Sequence, residues 1–371
     1  MQVRYIAEQI KKDLDRKMVF LGGPRQVGKT TLAKHLLGPH KGGYLNWDIP
    51  EDRERILQRK FPTEHMWVFD EIHKYRQWRN LLKGIYDKFK GEKSILVTGS
   101  ARLDYYRYGG DSLQGRYHYL RLHPLSIGEV GASAENMQRL FELGGFPEPF
   151  FSGDAIEAKR WSREYRTRMI RDDILSLEQV GDIGTLERLV LRLPELVGSP
   201  LSINALREDL QVAHKTAARW LDILERMYAI FRISPFGSPK IRAVRKEQKH
   251  YHFDWSLIGN RPMRFENFVA SHLLKWVHFL EDTEGRDIEL RYFRDTDKRE
   301  VDFVVTEDGT PKILVECKFS RSQLSDHLIY LKRKFPKAEA WQLHWDEIEP
   351  SYVSADGIIV AHAGELLKKL C

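Results

Sequence analysis

Cysteine is scarce. The 371-residue chain has two, Cys317 and Cys371. Two thiols cannot build a disulfide framework or a cysteine-rich zinc site. Long apolar runs are missing too. Met66-Trp67-Val68-Phe69 is typical of the longest, far short of the roughly 18 residues that span a bilayer. Met1 to Phe20 carries charge throughout, with no apolar signal-peptide core. These absences set the expectation of a cytoplasmic protein with no membrane partner. No internal repeat and no low-complexity segment breaks the chain. Excess charge is small: 60 Lys+Arg against 53 Asp+Glu leave +7, which permits a polyanionic partner without requiring one. What is present is an ordinary globular share of hydrophobic residues, 42%, which excludes a disordered chain. At about 150 residues per domain, the length suggests two or three domains.

The first hundred residues alternate strand and helix. Lys17–Leu21, Tyr44–Trp47, Met66–Asp70 and Ser94–Thr98 read as strands; Thr30–Leu37 and Gln77–Phe89 read as helices. This is the rhythm of a mostly parallel sheet covered by helices. Between the first strand and helix, Gly23-Pro24-Arg25-Gln26-Val27-Gly28-Lys29-Thr30 fits G-x-x-x-x-G-K-[ST] at every position. The glycines let successive backbone N–H groups aim at phosphate oxygens, and the helix N-terminus adds positive potential. Lys29 reaches the β/γ-phosphates, the Thr30 hydroxyl completes a Mg²⁺ shell, and Thr31 follows it into the helix. Trp67-Val68-Phe69-Asp70-Glu71 is an apolar strand ending in two acids. It places Asp70 on the metal and Glu71 on the attacking water. Two further catalytic candidates follow: Ser100, with Thr98, at the end of the next strand, and Arg116 as an arginine finger in cis or in trans.

From about Ala132 to Leu196 the pattern is helical, and Leu201 to Pro235 reads as a compact helical unit. Ile203–Leu210 and His214–Tyr228 have helix-turn-helix spacing. Ala217, Leu221, Leu224 and Tyr228 share one face, with Lys215, Thr216, Arg219 and Arg226 elsewhere on the surface. Such residues can meet phosphates and base edges, and DNA is the partner this reading implies; packing within the protein is the alternative. Lys240 to Lys249 holds five basic residues and one acid, and reads as an adjacent backbone contact or a solvated loop.

Near the C-terminus, Arg299–Val305 and Lys312–Phe319 read as two strands. Period two puts Glu316 and Lys318 on one face. A three-residue loop, Glu307-Asp308-Gly309, brings Asp302 to that face, diagonal to Glu316; an even Asp-Gly loop sends it to the other. Two carboxylates with a lysine can hold Mg²⁺ and activate water against a phosphodiester. Asp302 and Glu316 would bind the metal, and Lys318 would orient the water. With Glu266 upstream, the D-x(13)-E-x-K spacing is similar to that of restriction-endonuclease-type nucleases. A solvent-exposed ion-pair face is the plainer alternative.

Residues 23–31, 69–74 (Phe-Asp-Glu-Ile-His-Lys), 97–102 (Val-Thr-Gly-Ser-Ala-Arg), 113–117 and 124–129 together resemble a widespread prokaryotic group. So do Gly144–Glu148 and Tyr165 through Ile174. The group consists of AAA-type ATPases with a C-terminal domain of unknown function. Gln114 departs from it, standing where a small residue is common. The resemblance implies ATP as the nucleotide, a winged-helix segment and a C-terminal restriction-endonuclease-like fold. The expected fold is therefore α/β in three parts. Residues 1–130 form a phosphate-loop parallel-sheet domain. Residues 131–240 form a helical region with a winged-helix-like unit at about 201–236. Residues 241–371 form a nuclease-like α/β domain. The expected function is Mg-dependent ATP hydrolysis coupled to DNA binding or processing. The alternative is a nucleotide-gated regulator or scaffold with an inactive nuclease-like domain. Oligomeric state is left open, a homo-oligomer included.

Overall fold

In the computed structural model, the described residues are 4–39, 41–99, 113–174, 182–237, 248–320, 322–346 and 350–371. The chain divides into two compact units, Met1–Pro124 with Asp282–Glu284, and Leu125–Glu281 with Gly285–Cys371.

Among the described residues, the first unit is built on five parallel strands: β1 (Met18–Gly22), β2 (Tyr44–Asn46), β3 (Met66–Asp70), β4 (Ser94–Thr98) and β5 (Tyr117–Arg121). Their order is β2-β3-β4-β1-β5. β1, β3 and β4 are apolar and buried along most of their length, as strands covered on both faces must be. One side of the sheet packs Phe20, Trp67, Phe69 and Val97 against Trp78, Leu82 and Ile85 of the Trp78–Phe89 helix. Because all five strands run the same way, the residues at their C-terminal ends gather along one edge, where ligands bind in open α/β sheets.

Among the described residues, the second unit holds an eight-stranded sheet: β6 (Ile230–Pro235), β7 (Lys249–His252), β8 (Ile288–Arg294), β9 (Glu300–Glu307), β10 (Thr310–Lys318), β11 (Glu339–His344), β12 (Tyr352–Val353) and β13 (Ile359–His362). The order is β12-β13-β11-β10-β9-β8-β6-β7. Helices precede it from Ile127 onward, including Ile203–Leu210 and His214–Arg226. The long helix Arg261–Glu284 starts behind an Asn260 cap, whose side chain accepts from the Met263 N–H.

Three expectations change here. Leu201–Pro235 is not wholly helical, because residues 230–235 form β6, which pairs with β7 and β8. The second helix of the pair stops at Arg226. Tyr228 lies beyond it at φ +59°, so Trp220 and Ile223 share the buried face with Ala217, Leu221 and Leu224. The β9–β10 loop has two residues, Asp308 and Gly309, both in the left-handed region that suits a tight hairpin. By parity alone that loop would separate Asp302 from Glu316. A β-bulge at Lys312 restores the face: Pro311 pairs with Thr306, but Ile313 pairs with Val305 and Val315 with Phe303. One step further sets Asp302 directly opposite Glu316.

Candidate functional site

In the first unit, β1 delivers the chain into the phosphate loop and the Lys29–Leu37 helix leaves it. Gly23 has φ +127°, and a Cβ there would stand 2.3 Å from the Leu122 carbonyl oxygen, so no larger residue fits. Gly28, at φ +101°, directly precedes the helix. The loop is anchored from below by buried Arg4, which donates to the Val27 carbonyl at 2.7 Å and the His123 carbonyl at 2.5 Å. Arg25 and Gln26 are half-buried, Val27 is buried and Thr31 is exposed. Lys29 is buried and folds back over its own loop, donating to the carbonyls of Gly23 at 2.9 Å and Pro24 at 2.5 Å.

Asp70 closes this site from β3. Three hydroxyls donate to its carboxylate: Thr30 at 2.8 Å and Tyr44 at 2.6 Å to Oδ2, and Thr98 at 2.7 Å to Oδ1. The strand order explains the cluster, since Asn46, Asp70 and Thr98 are register neighbours at the ends of β2, β3 and β4. Thr98 therefore holds Asp70. Ser100 lies outside the described residues. Glu71 turns out of the strand at φ +58° and sits 3.2 Å from Lys74 Nζ, which also meets Asp48 at 2.5 Å. Burial pushes the Glu71 carboxyl up, Lys74 draws it back down and Asp70 raises it again. Thr30 and Asp70 already share a hydrogen bond, and a hydroxyl beside a carboxylate is the donor pair a Mg²⁺ ion takes next to a phosphate loop.

Arg116 is not brought to this edge. Its carbonyl accepts from the Met18 N–H at the start of β1, the end opposite the phosphate loop, and its guanidinium pairs with Asp87 at 2.8 Å. The structure therefore gives it no part in cis at its own chain's phosphate loop.

In the second unit, Asp302 and Glu316 come together with Glu266, Lys318 and three residues that the sequence pattern does not point to: Lys249, Tyr251 and Glu300. In sequence, Lys249 closes what reads as a surface basic run. Its side chain is instead 1% exposed, with Nζ 2.6 Å from Glu300 Oε1, 3.5 Å from Glu266 Oε1 and 3.9 Å from Asp302 Oδ1. It is thus no phosphate-backbone contact. The rest of that run, residues 240–247, lies outside the described residues. Tyr251 donates to Glu266 Oε1 at 2.7 Å, and Gly198 leaves room for the same carboxylate: a Cβ there would meet Glu266 Oε2 at 2.9 Å. The Cys317 N–H donates to Asp302 Oδ2 at 2.8 Å, and Lys318 Nζ stands 2.8 Å from Glu316 Oε1.

Glu316 Oε2 is buried and has no hydrogen-bond partner among the described residues. Burial first, then the neighbouring Asp302 charge, pushes both Glu266 and Glu316 up to about 7. Burial also lowers the basicity of Lys249, but the Glu266, Asp302 and Glu300 carboxylates outweigh it and hold the ammonium charged. Among the described residues, no three His, Cys, Asp or Glu side chains are grouped closely enough to enclose a metal ion by themselves. An ion here would need water or phosphate oxygens besides Asp302 and Glu316, and the orphaned Glu316 oxygen suits one. The alternation of Lys249 and Tyr251 at the start of a strand is the one sequence feature able to bring Lys249 in.

The helix pair Ile203–Leu210 and His214–Arg226 turns at Gln211, φ +55°. Lys215, Arg219 and Arg226 are exposed on the second helix, and Thr216 is half-buried.

Residues 15–131 match the model of an AAA domain. Residues 134–262 and 263–357 each match a domain of unknown function, DUF8612 and DUF4143. Uncharacterized proteins of Mycobacterium bovis and Mycobacterium tuberculosis are each 27% identical over 259 residues, covering 69% of this chain and 58% of the relative. The chain thus spans little more than half the length of these relatives. An uncharacterized protein of Methanocaldococcus jannaschii is 23% identical over 66% of this chain and 63% of its own. Among solved structures, the Aeropyrum pernix ORC1 protein in complex with DNA aligns at TM-score 0.32 and 13% identity, over 73% of this chain and 94% of that one. A Pyrococcus horikoshii signal transduction ATPase with a tetratricopeptide repeat sensor aligns at 0.24 and 14%, over 76% and 49%. The AAA-domain match spans β1 to β5 and the phosphate loop of the first unit.

Proposed function

We propose that the protein binds and hydrolyses ATP with Mg²⁺ and couples nucleotide state to DNA binding or processing, with the acidic site of the second unit as a metal-dependent nuclease centre. The observation that carries the reading is the phosphate loop facing Asp70 and Glu71 along one sheet edge, with Thr30 bonded to Asp70 at 2.8 Å. Lys29 is held by neutral carbonyls, weaker partners than a triphosphate, and can exchange them for phosphate oxygens. Glu71, raised by burial, is suited to accept the proton of an attacking water. A Mg²⁺ ion on Thr30 and Asp70 would neutralise developing charge on the phosphates. Exposed Lys215 and Arg219 and the basic run beyond β6 support the DNA part of the reading, in which the two helices and the antiparallel β6–β7 pair would serve as a winged-helix unit.

The test is nucleotide binding and turnover by the purified protein. Glu71→Gln should bind ATP with near wild-type affinity and lose at least about 100-fold in turnover, the usual contribution of a general base. Lys29→Ala should lose binding itself. Calorimetry showing no purine triphosphate bound by the wild type would overturn the reading.

A second reading has one observation in its favour, the Lys249 ammonium seated among Glu266, Glu300 and Asp302. It makes the protein a nucleotide-gated regulator or scaffold whose acidic site binds nucleic acid or protein without cutting. Cleavage of single- or double-stranded DNA with Mg²⁺ or Mn²⁺, lost in Asp302→Asn with DNA binding kept, decides for the nuclease. No cleavage by the wild type decides for the scaffold.

A further inference from the structure

Four carboxyl groups, Glu266, Glu300, Asp302 and Glu316, converge in the second unit, and two lysines answer them from different sides. Lys318 is partly exposed and pairs with Glu316. Lys249 enters from β7 and reaches three carboxylates carried by two other elements, the Arg261–Glu284 helix and β9. Its stem is fixed: the side chain is almost fully buried and the ammonium lies 5.4 Å above the Tyr292 ring. A buried ammonium is tolerated only where carboxylates repay its lost hydration, and an apolar side chain would fill the same volume without that cost. On the far side of Asp302, Lys318 meets only one oxygen of Glu316, and Oε2 is buried with no donor among the described residues. Arg294 also reaches Glu300, at 3.7 Å, so the carboxylates on the Lys249 side are already answered, and the side of Asp302 and Glu316 is where a divalent cation has room.

We propose that the Lys249 ammonium is a built-in cation of this site, standing where a two-ion centre would carry its second divalent ion, so that the site takes a single divalent ion on the side of Asp302 and Glu316. The inference rests on the metal-site reading of the second unit and deepens it. Lys249 is then a positioning residue. It gathers Glu266, Glu300 and Asp302 before any ion arrives and repels a second ion from the same carboxylates.

The experiment counts Mn²⁺ by equilibrium binding and electron paramagnetic resonance on the full chain without nucleotide, in an Asp70→Asn background that disables the phosphate-loop site. The expected result is one Mn²⁺ with an uncoupled spectrum. In Lys249→Gln the expected result is a second Mn²⁺, or at least tenfold tighter binding of the first, while Lys249→Arg keeps the single ion. An exchange-coupled Mn²⁺ pair in the Lys249-containing protein overturns the proposal, whether or not Lys249→Gln folds. So does a folded Lys249→Gln with unchanged stoichiometry and affinity, or a second ion gained in Lys249→Arg. No Mn²⁺ bound with Lys249 intact has a separate meaning: it removes the metal-site reading itself, and this inference falls with it.

Discussion

Asp70 is the residue on which the first site turns, and it is over-provided with donors. Thr30 and Thr98 come from the phosphate-loop helix and from β4; Tyr44 comes from β2. Burial, followed by the bond to Asp70, raises the Tyr44 phenol far above its ordinary value, so it remains a donor throughout the working pH range. Lys34 packs over its ring, 4.4 Å from the centroid. Tyr44→Phe should lower the stability of the nucleotide-free protein by about 1 kcal/mol, the worth of one partly exposed hydrogen bond to a carboxylate. Urea denaturation with and without Mg-ATP is the measurement, and the deficit should shrink when the nucleotide is bound. Glu266 and Glu316 give a pH signature of opposite sense to ordinary surface acids. Their carboxyls titrate at about 7 in the folded chain against a reference value of 4.5, so the folded state binds protons more tightly. Their contribution favours folding fully below about 4.5 and is lost as pH rises through about 7. Denaturation midpoints of the metal-free protein, compared with a Glu266→Gln/Glu316→Gln double variant between about pH 5 and pH 8, should show the wild type losing more stability as pH rises.

At the scale of elements, the β9–β10 hairpin decides whether the second site exists. At this chain's spacing between Asp302 and Glu316, a two-residue turn and one bulged residue are both needed, because strand side chains alternate and a shift of one residue moves a side chain to the other face. Deleting Lys312 should remove the bulge and still leave Asp302 opposite Glu316, because Pro311 then pairs with Thr306 and Ile313 with Val305 in an unbroken ladder, so Mn²⁺ binding at the site should be kept. Circular dichroism and equilibrium dialysis on the same sample follow fold and binding together, and binding lost with the fold kept would overturn this register argument. Gly309→Ala strains only the turn at φ +74°. It should cost about 1 kcal/mol in denaturation and leave metal binding intact.

For the whole molecule the question is whether the two sites act together. On the proposed reading DNA should raise ATP turnover, and charge reversal at Lys215 and Arg219 should remove that stimulation. The same variant should weaken DNA binding and reduce the slope of log affinity against log salt by about 0.9 for each phosphate no longer neutralised. Unchanged affinity and slope would move the DNA-binding surface away from the His214–Arg226 helix.

The phosphate loop was legible in the bare sequence, as were Asp70 and Glu71 and the alternation that makes β1, β3 and β4. A glycine-rich turn between an apolar strand and a helix is a local object: its residues are neighbours in the chain and their spacing fixes their geometry. D-x(13)-E-x-K was half legible, since the residues were found but their register was not. A bulge leaves no mark in composition, and the parity of a hairpin depends on it. Tyr44 over Asp70, Arg116 at the wrong edge of its sheet, and Lys249 inside a ring of carboxylates were decided only by tertiary structure. Strand order and long-range packing set those distances, and no spacing along the chain contains them.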